Sequence, residues 1–209
     1  MGTYYRGLCL KKLGFDLDAD SVLEVGCHDG YILSNVKANR KIGIDINPIR
    51  LYREIKYVKS DFLKHDFNGD VFDQVVSLEV MEHVPNPEKF LQNLGKVISD
   101  NGKALLSVPS KQMRIFPFIF QDYIDKRWGH EYRRGYSAEE LHHLLSNKFN
   151  NKKFKIISWN CPFWRTAYIP MKFLWRVSPG LTKRILNLTI VLDKKFGKGR
   201  NGFFYVLIG

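Results

Sequence analysis

The chain has 209 residues, 44% hydrophobic and 26% charged, with a formal net charge of +12. This composition excludes collagen-like, disulfide-scaffold and low-complexity chains, and the length suffices for one domain with its own core. The charge is uneven: residues 1–110 carry 14 basic against 15 acidic side chains, whereas residues 111–209 carry 19 against 6.

In chain order, Ser21 to Val25 is a short apolar run ending in Gly26, and Gly30 precedes the helical stretch Tyr31 to Lys37. Together they predict a strand, a glycine turn and a helix. Lys41 to Asp45 predicts a second strand, Pro48 a short helix at whose start it sits, Ile55 to Lys59 a third strand and Val71 to Leu78 a buried fourth. Phe90, Leu91, Leu94, Val97 and Ile98 follow Pro87 at helical spacing, so the sequence predicts an amphipathic helix stopping near Asn101 and Gly102. Lys103 to Val108 is the fifth strand. Strands alternating with helices imply a parallel sheet covered on both faces, with ligands outside the carboxyl ends of the strands.

Residues 110–136 are rich in aromatic and basic side chains without a clean period and read as an inserted lid. Ser137 with Glu140 three positions on predicts a capped helix running to about Lys148. Phe154 to Trp159 and Gly202 to Ile208 predict two further strands. Between them Pro162, Pro170 and Pro179 are expected to break the chain before an amphipathic helix at Leu181 to Lys195. His142 and His143 on the predicted helix read as surface and core rather than ligands.

Cys9, Cys27 and Cys161 are odd in number and in no CxxC arrangement, which suggests neither a disulfide framework nor a zinc cluster. The first residues lack the apolar stretch of a signal peptide, and no window of about 18 residues is free of charge. The expectation is a cytoplasmic protein.

The chemistry concentrates in Val22 to Gly30, where glycine at a strand-to-helix turn permits positive φ and close approach of backbone to a ligand. The G-x-G-x-x-G of a nicotinamide site is not present. With Glu24 two residues before Gly26, the segment resembles the first motif of the class I S-adenosylmethionine-dependent methyltransferases, an acid followed by a glycine-rich loop. His28 replaces the usual middle glycine; histidine is among the residues that better tolerate left-handed backbone. The resemblance implies an α/β, Rossmann-like seven-stranded sheet, mostly parallel with an antiparallel last strand. It implies one domain, with a cofactor half at 1–110, the insertion at 110–136 and a divergent basic, aromatic segment at 150–200.

The resemblance also implies that Glu24, Gly26, Cys27, His28 and Gly30 hold the methionine and ribose portions of S-adenosylmethionine, whose product is S-adenosylhomocysteine. Asp45, with Ile46 beside it, ends strand two where an acid accepts from ribose hydroxyls. Asp61 would accept from the adenine amino group and Phe62 would pack on its ring. Phe72 to Pro87 resembles the fourth motif of the ubiquinone and small-molecule branch, which places Leu78 and Glu79 beside the methionine moiety and Glu82 and His83 near the methyl sulfonium.

Glu79, Glu82 and His83 have the spacing i, i+3, i+4, which puts them on one face if the segment is a helical turn. Three uses stay open: loop positioning, acid and base work by Glu82 and His83, or a divalent metal on all three, as in some quinone and RNA-end relatives. No metal is the preferred expectation. Trp128 to Ser137 resembles the same branch, and His130 would close over the acceptor. The expected reaction is methylation of a small-molecule, glycan or lipid-linked acceptor, at oxygen. An RNA methyltransferase and a cofactor-binding module without turnover are the alternatives.

Residues 148–209 hold 13 basic side chains and one acid, Asp193, with six Phe or Trp between positions 154 and 175. Such a segment suits an anionic membrane surface, RNA, or a soluble protein whose aromatics roof the acceptor pocket.

Overall fold

The strand predicted around the glycine turn, β1 (Ser21–Val25), is buried at all five positions in the computed structural model, which describes residues 1–209. A strand with no solvent face needs cover on both sides, and the chain supplies it. The other strands are β2 (Arg40–Asp45), β3 (Lys56–Lys59), β4 (Phe72–Leu78), β5 (Ile98–Pro109), β6 (Phe154–Trp159) and β7 (Phe203–Ile208). They form a seven-stranded sheet in the order β3-β2-β1-β4-β5-β7-β6. β7 runs antiparallel to both its neighbours and the rest are parallel. The predicted sheet, including its antiparallel last strand, is therefore the observed one.

One face is covered by α3 (Pro87–Val97) and α5 (Ala138–Lys148). The apolar spacing that predicted α3 buries Phe90, Leu91, Leu94 and Val97, and the Asn86 side chain accepts from the Lys89 amide ahead of Pro87. α5 starts with the predicted capping box, Ser137 and Glu140 each satisfying the other's backbone N–H. The opposite face is covered by α1 (Gly2–Leu13), α2 (Tyr31–Ser34), α6 (Pro162–Val177) and α7 (Pro179–Phe196).

Four local expectations differ from the structure. No helix forms after Pro48. α3 ends at Val97 and runs directly into β5, so Asn101 and Gly102 lie in the strand; a Cβ on Gly102 would stand 2.8 Å from the Phe72 carbonyl. The N-terminal helix α1 has no counterpart in the predicted elements. Finally, Pro162 and Pro179 start helices, and Pro170 lies inside α6 rather than breaking it. Proline costs that helix one hydrogen bond, but Trp164, Tyr168 and Met171 on either side of it are buried at helical spacing, and their burial outweighs the loss.

The aromatic tail divides between core and surface: Phe154 and Trp175 are half-buried, Phe163 and Phe173 exposed. Trp159 and Trp164 are buried, and Trp164 stacks on Tyr5 of α1 with ring centroids 4.8 Å apart. Asp193, the one acid of the segment, is buried and accepts from the Phe163 amide at 2.8 Å, the Trp164 amide at 3.3 Å and the Tyr5 hydroxyl at 3.2 Å. It satisfies the first free N–H groups of α6 and ties α6, α7 and α1 into one body. Burial pushes its pKa up to about 6.

Segment 110–136 is ordered around α4 (Gln121–Trp128). Met113, Ile115 and Ile124 are buried, and the Ile115 amide donates to the Gln121 side chain at 2.7 Å.

Candidate active site

At the carboxyl end of β1 the chain turns through Gly26, with φ 76°, and Gly30, with φ 72°. A Cβ on Gly26 would stand 2.2 Å from Val80 Cγ2, so this glycine is required by packing as well as by backbone conformation. His28 adopts φ 45°, the left-handed conformation its position demands, and its side chain is exposed. Asp45 holds this turn: its Oδ2 accepts the His28 amide at 3.0 Å and its Oδ1 the Asn47 amide at 2.8 Å. Each oxygen keeps a second lone pair for a ligand hydroxyl.

Glu24 is buried, its Oε2 has no hydrogen-bond partner, and burial pushes its pKa up to about 8. An unpartnered carboxyl oxygen behind a glycine turn is what a cationic ligand requires, so the residues present fit a cofactor bearing an ammonium group. The protein keeps Glu24 protonated at neutral pH, whereas a nearby cation favours the carboxylate. Cofactor binding should therefore release a proton, and affinity should rise with pH up to about 8 and level off above. Titration calorimetry in buffers of different ionisation enthalpy measures that release, and Glu24→Gln should remove it.

The remaining cofactor expectations separate into side chains that reach this end of the sheet and side chains that do not. Ile46 is 64% exposed beside Asp45, and Asp61 accepts the Leu63 amide at 2.9 Å at the start of its own turn. Phe62 is buried against Phe67 and Phe90, so its ring belongs to the core, and Ile46 is the apolar side chain free to cover a ring. Leu78 and Cys27 are also buried, Cys27 against Gly43. These three residues can offer only backbone. Replacing Asp45 by Ala should weaken S-adenosylmethionine binding at least about tenfold, since hydrogen bonds to charged groups contribute about 1.5 to 3 kcal/mol and the variant also frees the His28 amide. Unchanged affinity by calorimetry would remove Asp45 from the site.

Beyond β4 the chain makes a short 3-10 turn, Met81–His83. Glu79 precedes it at φ 56°, and this left-handed residue breaks the helical face that the i, i+3, i+4 spacing suggests. Glu79 is instead held by Arg6 of α1 at 2.7 Å, and this pairing raises the guanidinium pKa further. Glu82 and His83 line the same cavity of about 130 Å³ as the Arg6–Glu79 pair, and His130 joins them there. Ligand atoms of Glu82, His83 and His130 all lie within 4.8 Å of one another. The converging set is thus Glu82, His83 and His130, not Glu79, Glu82 and His83.

The protonation pattern of this cavity follows from its contacts. His83 Nδ1 lies 2.9 Å from the Gly129 carbonyl, which fixes the proton on that nitrogen and leaves the Nε2 lone pair free, 3.7 Å from Glu82 Oε1. Glu82 is buried, its Oε2 has no partner, and burial followed by repulsion from Glu79 pushes its pKa up to about 8. Burial, and then the neighbouring His83 with its ring centroid 5.3 Å away, lower the pKa of His130. Trp128, Trp164 and Tyr168 form the apolar wall, with the Trp128 indole donating to the Tyr168 hydroxyl at 2.8 Å. Arg6 and Tyr168 are the site residues sequence reasoning missed, while Trp164 is among the aromatics expected to roof an acceptor pocket. Arg6 sits in a helix without a motif, and Tyr168 follows Trp164 at helical spacing, a signal obscured by reading Pro170 as a helix break.

A mostly parallel sheet with a glycine turn, an acid at the end of β2 and a cavity beyond β4 places the chain in the cofactor-binding α/β class. Comparison with known proteins narrows the class. A family model described as a methyltransferase domain matches residues 4–158. The chain belongs to this family, the S-adenosylmethionine-dependent class I methyltransferases. It is 28% identical over 186 residues to the ubiquinone biosynthesis O-methyltransferase of Rickettsia conorii, covering 80% of this chain and 61% of that protein. It thus spans about 60% of the length of such curated relatives. The fold is shared with phosphoethanolamine N-methyltransferase 2 of Haemonchus contortus in complex with S-adenosylmethionine, at a TM-score of 0.62 and 13% identity over 97% of this chain and 51% of that one. It is also shared with the plantazolicin methyltransferase in complex with S-adenosylhomocysteine, at 0.61 and 15% over 99% and 84%.

Proposed function

We propose that the protein transfers a methyl group from S-adenosylmethionine to an oxygen of a small-molecule acceptor, with His83 as the proton acceptor. The observation that carries this reading is the fixed tautomer of His83, whose free Nε2 faces a small, apolar-walled cavity beside the cofactor end of the sheet. The ubiquinone biosynthesis O-methyltransferases among its relatives support oxygen as the acceptor atom.

Bound S-adenosylmethionine supplies an electrophilic methyl on a sulfonium. Glu24, Asp45 and the Gly26 to Gly30 turn would hold it, with Ile46 the exposed apolar side chain beside them. The cavity walls exclude water, and His83 Nε2 takes the proton of the acceptor hydroxyl as the oxygen becomes a nucleophile. The protein's task is alignment and proton removal, since direct displacement needs no covalent enzyme intermediate.

A second reading is supported by the unpartnered Glu82 Oε2 and by the convergence of Glu82, His83 and His130. One carboxylate and two imidazoles suit a divalent cation, which would supply Lewis-acid activation of the acceptor oxygen. Radiolabelled methyl transfer to low-molecular-weight hydroxyl compounds and to a lipid extract, with and without chelator, tests both readings. Label in these fractions unaffected by chelator supports His83 alone, loss on chelation and return with added metal supports the cation, and label confined to an RNA fraction overturns the small-molecule acceptor.

A further inference from the structure

A second, larger cavity of about 340 Å³ lies between α4 and α6, within the size range of ligand pockets. Its apolar lining includes Phe120, Ile124, Ile169 and Phe173, and it shares Trp128 and Tyr168 with the reaction cavity. These two side chains are thus a common wall between the groove and the reaction cavity. Its only charged lining residues are Arg127, Lys172 and Arg176, none of which pairs with a carboxylate.

The groove opens onto an exposed apolar face. Ile119 and Val177 are each 84% exposed, and Phe118, Tyr123 and Phe173 are exposed as well. Monomeric proteins rarely leave such a run of large apolar side chains in water without a partner. The cations Arg127, Lys172 and Arg176 outnumber the one exposed acid of the face, Asp122, which lies 3.7 Å from Arg134, and so specify the sign of that partner. The aliphatic tips specify its nature: phosphates of RNA would use the cations but leave Ile119 and Val177 without a role. A second copy would bring cation against cation.

We propose that this face seats the protein on an anionic lipid bilayer and that the groove admits the apolar chain of a membrane-resident acceptor to the reaction cavity. The docking stands on the surface alone, whereas the role of the groove rests on the methyl-transfer reading. The occupied face differs from the aromatic tail as read in sequence. Trp164 is core and Trp175 is half-buried against Tyr4, so the interfacial residues come from segment 116–123 and the end of α6.

Cosedimentation of the full chain with phosphatidylcholine vesicles, with and without phosphatidylglycerol, tests it. Binding should be selective for the anionic vesicles and should weaken as salt is raised. The double variant Phe118→Ser with Ile119→Ser, and separately Arg176→Glu, should each reduce vesicle binding by roughly five- to tenfold, the scale of one basic residue at a charged surface. Both should keep the parent melting temperature and S-adenosylmethionine affinity. Equal binding to neutral vesicles, or variants that sediment like the parent, would overturn the proposal. So would displacement by unstructured RNA that the Ile119 variant still binds. None of these readouts uses turnover, so failure of the methyl-transfer reading would show only in the activity assay.

Discussion

Gly26→Val should abolish measurable binding of S-adenosylmethionine and lower the melting temperature. Two costs combine at this position. The backbone is left-handed, which costs an L-residue about 1–2 kcal/mol, and the new Cβ would stand 2.2 Å from Val80 Cγ2. Overpacking of this kind costs about 1–3 kcal/mol, and for a domain of this size the sum corresponds to roughly 5–15 °C. The clash is with Val80 rather than directly with cofactor, so a compensating change is available. Val80→Ala in a Gly26→Ala background should recover part of both stability and binding, whereas it should do nothing for a variant that acts by filling the cofactor space. Calorimetry and thermal melts on the four members of that cycle distinguish the two origins.

His83→Ala should reduce turnover by about 10²- to 10⁴-fold, the usual contribution of a general base, with cofactor affinity within about twofold of the parent. The separation is expected because His83 contacts the Gly129 carbonyl and the cavity, while the groups that hold cofactor lie on the other side of β4. Equal losses in binding and turnover would instead make His83 a positioning residue for the turn. His130→Ala is the companion measurement. A loss comparable to that of His83, with restoration of neither by added metal, would fit two imidazoles sharing one proton path.

The strands along the chain and the glycine turn after β1 were legible because each rests on local backbone sterics or on patterned burial, which a short window of sequence records. The site beyond β4 was legible only in part. The spacing of Glu79, Glu82 and His83 assumes a continuous helix, and one left-handed residue at Glu79 redirects its carboxylate to Arg6, 73 positions away in sequence. His130 joins Glu82 and His83 through a contact that only tertiary packing creates. The same limit applies to the tail, where composition records that Trp164 and Phe173 are present but not that one is core and the other exposed. Burial there depends on Tyr5 and Asp193, brought together from the two ends of the chain.

The contact between Gly26 and Val80 joins two loops that have separate chemical duties. Gly26 belongs to the cofactor turn, and Val80 immediately precedes the turn carrying Glu82 and His83, with the His83 amide donating to the Val80 carbonyl at 2.9 Å. With no side chain on Gly26, the valine methyl rests directly on backbone, and neither loop can shift without the other yielding. Occupancy of one half of the site is thereby felt in the other as a shared free energy. Thermodynamic reciprocity then requires that an acceptor which tightens cofactor binding is itself tightened by cofactor to the same factor.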